Sequence, residues 1–503
     1  MTTLLPRRSN AGVTTAPVND RIRRSVTPIS VGVLAFATSL IGITTASIWY
    51  DEAATITAAT RSWPQLWDMA GTVDAVHAAY YVLMHLVFDV FGYSPLTLRL
   101  PSAIAVGLTA ALLVLFARQF GRPRLGVVAA VVFMLLPRTT WMSTEGRSYA
   151  ITALLALVLT MALIRAVHAK SRRSWVVYGI LVVVSCTVFI YLALVVVAHG
   201  LSMLRWISLR TGNAGPTVRR WLATAALAAL ALVPLGLLIV AESGQVHWLD
   251  EPSRAFVRQV GVTQWFYTSV PFAIVGWCLL VAGCVFLSRR RGLSLGSIVV
   301  PLIVAPTALL ILASFVMPLY TPRYVAMCLP FVAIAIGAAL DRLPYRAQIA
   351  IALAALATLA VPQMIEQRQP ESREVTDWSA VADWVAADRA ADGADSSTAI
   401  VYGNVYGHPT ATTRVIAYSY PSAFVDTIDV TLDTPAAETG RLWESRLPLA
   451  ETVYRASAAD VTYLVTSTSR DRRPAVIETM QDAGWRVVDT EGFPNLAIVK
   501  FER

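Results

Sequence analysis

The sequence predicts a polytopic α-helical membrane protein of about eleven transmembrane helices, followed by a C-terminal extracytoplasmic α/β domain. Three observations carry that prediction. Of 503 residues, 56% are hydrophobic and only 15% charged, against about 45–50% and about 25% in soluble domains; the apolar surplus needs a bilayer as its solvent. Apolar runs of span length recur along the chain, about 20 residues being what a helix needs to cross. Finally, Lys and Arg gather at every second junction between those runs, as they do in cytoplasmic loops. The net charge of +9 is therefore a topology signal and not the basic face of a nucleic-acid binder.

Residues 1–26, with Arg7, Arg8, Arg21, Arg23 and Arg24 among Ser, Thr, Asn and Pro, read as a disordered cytoplasmic tail. The run from Thr27 to Tyr50 is too long for a signal peptide and lacks an A-x-A-like cleavage site, so it is a retained first span leading outward. Basic clusters then stand at Arg118–Arg124, Arg165–Arg173, Arg205–Arg220, Arg289–Arg291 and Arg342–Arg346. Acids and aromatics fill the alternate junctions at Asp51–Asp89, Glu145, Glu242–Glu251 and Pro318–Arg323. This places helices over 27–49, 100–117, 124–137, 148–166, 175–189, 191–208, 221–240, 271–287, 296–316, 324–340 and 347–362, with the stretch 175–208 divided near Tyr191. The amphipathic segment 77–91 reads as an interfacial helix, because a span there would invert every later loop. The four cysteines, Cys186, Cys278, Cys284 and Cys328, lie in apolar stretches without metal or disulfide spacing.

Composition changes after Pro362. Residues 363–503 hold many acids and no span-length run; Trp378, Val381, Ala382 and Val385 fall at helical spacing, and 398–403 and 460–467 read as buried strands around a helix over 472–483. An odd number of spans puts this domain outside, leaving 27–362 as the membrane domain.

Asp51 and Glu52 stand at the outer end of the first span, where they could mark the interface or supply a general base. His77, Tyr80-Tyr81 and His85 follow, then TLRLPSA at 97–103, STEGRSYA at 143–150 and PLYTPRYVAMCLP at 318–330. Together these resemble the polytopic GT-C glycosyltransferases that use polyprenyl-phosphate sugars, the protein O-mannosyltransferase and aminoarabinose-transferase superfamily. The likeness covers residues 45 to about 340 and rests on five short motifs in order: an acidic pair after the first span, an H-x-P-x-Y-Y-like segment, A-L-R-L-P-S, E-x-R-x-Y and a late P-R-Y turn. Two departures are Ala78-Ala79 where the segment after the histidine is usually proline-containing, and TEGRSY where QEARMY-like turns are common.

The resemblance implies a GT-C-like membrane domain with Asp51 as catalytic base, and the chemistry agrees: inverting transfer needs one carboxylate to take the acceptor proton while the sugar leaves its lipid phosphate. The leaving phosphate calls for cations, and Arg147 and Arg323 are the candidates for a phosphate clamp; lipid anchoring is the bland alternative. Glu52, His77, Tyr80, Tyr81, Tyr149, Tyr320 and Tyr324 complete the substrate-binding candidates, together with Trp248 in the outer loop 241–256. Glu145 is open to pairing with Arg147 or to holding a sugar hydroxyl or a divalent cation. A divalent cation is the one cofactor left open, and no Walker loop, dinucleotide fingerprint or H-E-x-x-H cluster is present in the sequence.

The expected activity is transfer of a monosaccharide from a polyprenyl-phosphate donor to an envelope glycan, lipoglycan or protein. Richness in Ala, Arg and Val with scarce Lys looks like a high-GC actinobacterial protein, which favours mannose, with arabinofuranose next. The rival is a transporter or flippase of a lipid-linked solute, for which duplicated halves and intramembrane charges are expected; an inactive envelope scaffold is a third reading.

Overall fold

The computed structural model describes residues 18–208, 214–242, 253–288, 294–373, 377–392, 396–405, 407–468 and 473–503. Most of residues 1–26 and Trp248 lie outside them. All eleven expected segments are helical. Seven are continuous and long and apolar enough to cross a bilayer, and two, Pro123–Leu135 with Pro137–Ser143 and Gly215–Ala231 with Val233–Ala241, are spans broken by bends of 70° and 49°. The remaining two are shorter: the apolar part of Val18–Leu40, and the 17-residue helix Arg172–Val188. The protein is a multi-pass membrane protein.

The first helix corrects the sequence reading, ending at Leu40 and not near residue 49. Gly42 takes a left-handed φ of +62°, which breaks the helix. The acceptors that helical bonding would have used go elsewhere: Arg99 donates to the carbonyls of Ile43, Ala46 and Ser47 at 2.8, 2.8 and 3.2 Å. Helix then resumes at Tyr50–Ala59. Within the bilayer, Val18–Leu40 crosses Pro95–Gln119 at two facing glycines. A Cβ on Gly32 would stand 2.9 Å from the Gly107 carbonyl oxygen, and one on Gly107 3.0 Å from that of Gly32, so the two backbones touch as small-residue membrane contacts allow.

The segment 175–208 divides at Phe189, after which Ile190–Leu192 forms a short 3-10 turn. His199 is buried beyond it, joined to Tyr178 Oη at 2.9 Å and Thr160 Oγ1 at 3.1 Å. This polar link between three spans is one that the sequence reading, which placed polar groups at outer loops, did not anticipate.

The C-terminal region carries strands β1 Thr398–Tyr402, β2 Asn404–Val405, β3 His408–Thr412, β4 Ile428–Asp429, β5 Val461–Ser467, β6 Arg486–Phe493 and β7 Leu496–Glu502. Five form one sheet in the order β4-β1-β5-β7-β6, parallel from β4 to β5 and antiparallel through β7 and β6; β2 and β3 make a separate hairpin. Alternation along β1 sends Ile400 and Tyr402 to one face and Ala399 and Val401 to the other. The first face packs on Trp378, Val381, Ala382 and Val385 of helix Trp378–Asp392, and its apolar core continues without a break into helices Tyr50–Ala59 and Ala78–Phe91. Hydrogen bonds fix the same junction: Ile48 N–H donates to Tyr420 Oη and Trp443 Nε1–H to Tyr50 Oη, each at 2.8 Å.

Candidate active site

The site is built on the first turn of helix Tyr50–Ala59, whose N-terminal end favours acidic side chains. Successive residues on a helix point about 100° apart, and the adjacent carboxylates have different fates. Glu52, expected to contact substrate, is instead wholly enclosed. It takes a two-pronged contact from Arg99 at 2.7 and 2.6 Å and the Gly146 N–H at 2.7 Å. Its work is to hold Arg99, and through it the 43–47 segment, against the 144–148 turn.

That turn explains one sequence departure. A Cβ on Gly146 would lie 2.5 Å from Leu98 Cγ, so glycine stands where QEARMY-like sequences have alanine because Leu98 fills the space. The turn is further pinned by Ser102 Oγ donating to the Glu145 carbonyl at 2.6 Å and Thr55 Oγ1 to the Gly146 carbonyl at 3.0 Å. Glu145 pairs with Arg373 at 3.2 Å and accepts from Trp49 Nε1 at 2.8 Å; it is not paired with Arg147.

Asp51 faces the other way and meets Arg323 at 2.7 Å. Arg323 also lies over the Trp49 ring, 5.6 Å from its centroid. Arg147 donates to Tyr81 Oη at 3.0 Å and Thr55 Oγ1 at 3.4 Å, and Tyr81 in turn donates to Asp74. His77 packs between Phe189 and Tyr81, with ring centroids 6.0 and 6.2 Å away. Burial alone would raise the Asp51 pKa, but Arg323 and then Arg147, with His408 adding to them, hold it below the ordinary carboxylate value. Burial instead pushes Glu145 up to about 8, helped by Glu52 and Asp51 and opposed by Arg373. Two carboxyls driven apart in this way mark Asp51 as the one held ionised. Burial, reinforced by Arg147, drives the His77 pKa well below its usual value, so the ring is neutral.

Of the other expected residues, Tyr80 is buried beside Glu52 and Glu145. Tyr149 packs between Trp141 and Phe189, and Tyr324 stacks on Tyr191 with centroids 4.9 Å apart. Tyr320 turns away to donate to Gln264 Oε1 at 3.0 Å and to pack on Phe256. Five residues were missed. Arg99 and Arg373 hold Glu52 and Glu145, and Asp74 anchors Tyr81. His408, from β3, stacks on Tyr50 with centroids 3.4 Å apart and adds its field to Asp51. Arg138 is 4% exposed, donates to the Thr263 carbonyl and lies over the Trp141 and Tyr267 rings; its cationic neighbours are Arg323 and Arg373. An arginine inside an apolar run, as Arg99 and Arg138 are, was the available signal. Among the described residues no three His, Cys, Asp or Glu side chains gather as a metal site.

This architecture is the GT-C glycosyltransferase fold. The chain superimposes on ArnT from Cupriavidus metallidurans in the apo state with a TM-score of 0.59 at 12% identity, and in the undecaprenyl-phosphate-bound state with 0.54 at 13%, covering 96% of this chain and 98% of that one in both cases. It is also similar to the arabinofuranosyltransferase AftD from Mycobacteria (TM-score 0.51, 19% identity), covering 96% of this chain but 40% of AftD. No protein-family model and no curated protein matches the sequence.

Proposed function

We propose that this protein is a membrane glycosyltransferase that moves a monosaccharide from a polyprenyl-phosphate donor to an acceptor hydroxyl with inversion, on the extracytoplasmic face. The observation that carries the reading is the Asp51–Arg323 pair, a carboxylate held ionised by arginines within a GT-C fold. The undecaprenyl phosphate bound to ArnT supports a lipid phosphate as the donor's anchor.

The pair suggests how donor binding readies the base. The incoming phosphate competes for Arg323, with Arg147 and Arg138 as its other cations. As Arg323 turns toward the phosphate, Asp51 loses the charge that depresses its proton affinity, and becomes a stronger base when it is needed. Asp51 then takes the proton of the acceptor hydroxyl, whose oxygen forms the new bond to the anomeric carbon. The bond from that carbon to the phosphate oxygen breaks, and its electron pair leaves with the lipid phosphate. His77, Tyr81, Tyr149 and Tyr324 line the sugar side, and His408 and Tyr50 bring the C-terminal domain to the acceptor side. The acceptor is an envelope glycan, lipoglycan or protein; mannose is the favoured sugar and arabinofuranose the next.

The test is incubation of the purified protein with a radiolabelled polyprenyl-phosphate sugar panel and a crude envelope acceptor. Transfer from one donor, abolished in Asp51→Asn, is the expected result. No transfer from any of the panel overturns the reading.

A further inference from the structure

A groove of about 700 Å³ runs between helix Arg172–Val188 and helix Ala214–Ala231. It belongs to neither the Asp51 site nor the C-terminal domain. Its wall is apolar and open sideways: Val176, Ile180, Val184 and Leu227 line it and are 52, 57, 48 and 69% exposed, so they face lipid tails in a bilayer. Gly179 keeps the floor deep, since a Cβ there would lie 2.9 Å from Thr224 Cγ2.

One end of the groove is polar and cationic. Arg172 and Arg220 line it, and among the described residues no carboxylate does. Arg220 is oriented by donating to the Lys170 carbonyl at 3.0 Å. The end coincides with the N-terminus of helix Arg172–Val188, capped by Ser171, where backbone partial charge is positive. Trp175, one turn further on, lines the groove at 5% exposure, and its buried indole N–H has no hydrogen-bond partner among the described residues. A buried donor without an acceptor is costly, and the residue that carries this one lines the groove.

We propose that this groove is a binding site for an anionic glycerophospholipid, with the phosphate between Arg172 and Arg220, an ester oxygen accepting from Trp175, and an acyl chain along the apolar wall. Charge complementarity selects the occupant: two guanidiniums and a helix N-terminus favour an anionic head group over a zwitterionic one, and basic pockets between membrane helices bind such lipids. By the positive-inside rule the basic end lies in the cytoplasmic leaflet, across the membrane from the proposed Asp51 site. The bound lipid would brace two helices that otherwise meet across a cavity.

The experiment uses the full chain in detergent, titrated with phosphatidylglycerol, phosphatidylcholine or undecaprenyl phosphate and read by native mass spectrometry and thermal melting. Phosphatidylglycerol should bind and raise the melting temperature more than phosphatidylcholine does. In the double variant Arg172→Gln with Arg220→Gln, both on exposed surface, that preference should fall about tenfold or more; Arg172→Lys with Arg220→Lys should keep most of it. Trp175→Phe should weaken the phospholipid by a few-fold while leaving the charge preference. Equal binding of the two phospholipids, an unchanged preference in the Gln variant, or occupancy by undecaprenyl phosphate in place of phospholipid would each overturn the proposal.

Discussion

Asp51 and Glu52 are neighbours in sequence with opposite expected responses to loss of charge. Glu52 and Arg99 are both at 0% exposure and bonded at 2.6–2.7 Å. In Glu52→Gln the amide oxygen can still accept from Arg99 Nε and the Gly146 N–H, but its NH₂ faces the second arm of a guanidinium that has only donors. A buried charge is left uncompensated, a defect of about 3–5 kcal/mol, and the 43–47 and 144–148 segments lose their common anchor. The Asp51–Arg323 pair is 15–16% exposed and so is reached by water, and Asp51→Asn there should cost less stability than Glu52→Gln does. Its effect falls on turnover, where loss of a positioned base costs about 10²–10⁴-fold. Melting in detergent and transfer rate, measured on both variants, separate the two. The expected pattern is a sharply lower melting temperature for Glu52→Gln, and a smaller loss of stability with lost transfer for Asp51→Asn. An Asp51→Asn enzyme that transfers sugar normally, or a Glu52→Gln protein as stable as wild type, refutes the division of labour.

Three further outcomes are expected. Arg323→Lys and Arg147→Lys should each weaken donor binding by about 1–2 kcal/mol, because a planar fork serves a phosphate better than an ammonium does; unchanged donor titrations in both would leave these residues as structural ties to Asp51 and Tyr81. Since His77 stays neutral when folded but takes up a proton below about pH 6.5 when unfolded, stability should drop as pH falls below that value, by up to about 1.4 kcal/mol per pH unit from this group; His77→Phe should flatten the curve, and an unaltered pH–melting profile counts against the assignment. Finally, a cysteine at Tyr454, 79% exposed on the C-terminal domain, should react with an impermeant thiol reagent in intact cells, and protection there would invert the proposed topology.

The spans were legible because their pattern is one-dimensional: apolar length and alternating charge are written along the chain. The strands at 398–402 and 461–467 were legible for a similar reason, as short apolar runs bounded by polar turns. What could not be read was the pairing between distant segments. Arg99 sits in a helix start that the motif search had found, yet nothing in its neighbourhood says that its partner is Glu52, 47 positions earlier. The same holds for Arg373, which lies beyond the membrane domain and reaches back to Glu145. The early end of the first helix was hidden because the carbonyls freed at 43–47 are taken up by that same Arg99. His408 and Tyr50 meet only once the soluble domain is seated, an event with no local signature.

The contact between Gly32 and Gly107 gives the bilayer interior a say in the chemistry above it. Arg99 lies eight residues from Gly107 on one continuous helix, about 12 Å along its axis, and the segment it grips leads directly from the end of the other helix to Asp51. A methyl group added at either glycine would lever the two helices apart at a point remote from any substrate, and the displacement would emerge as a tilt of the carboxylate's own helix. Variation that looks neutral, a glycine traded for alanine in a greasy stretch, would then tune turnover from a distance, and families of such chains should be searched for activity differences in their lipid-embedded crossings as well as in their loops.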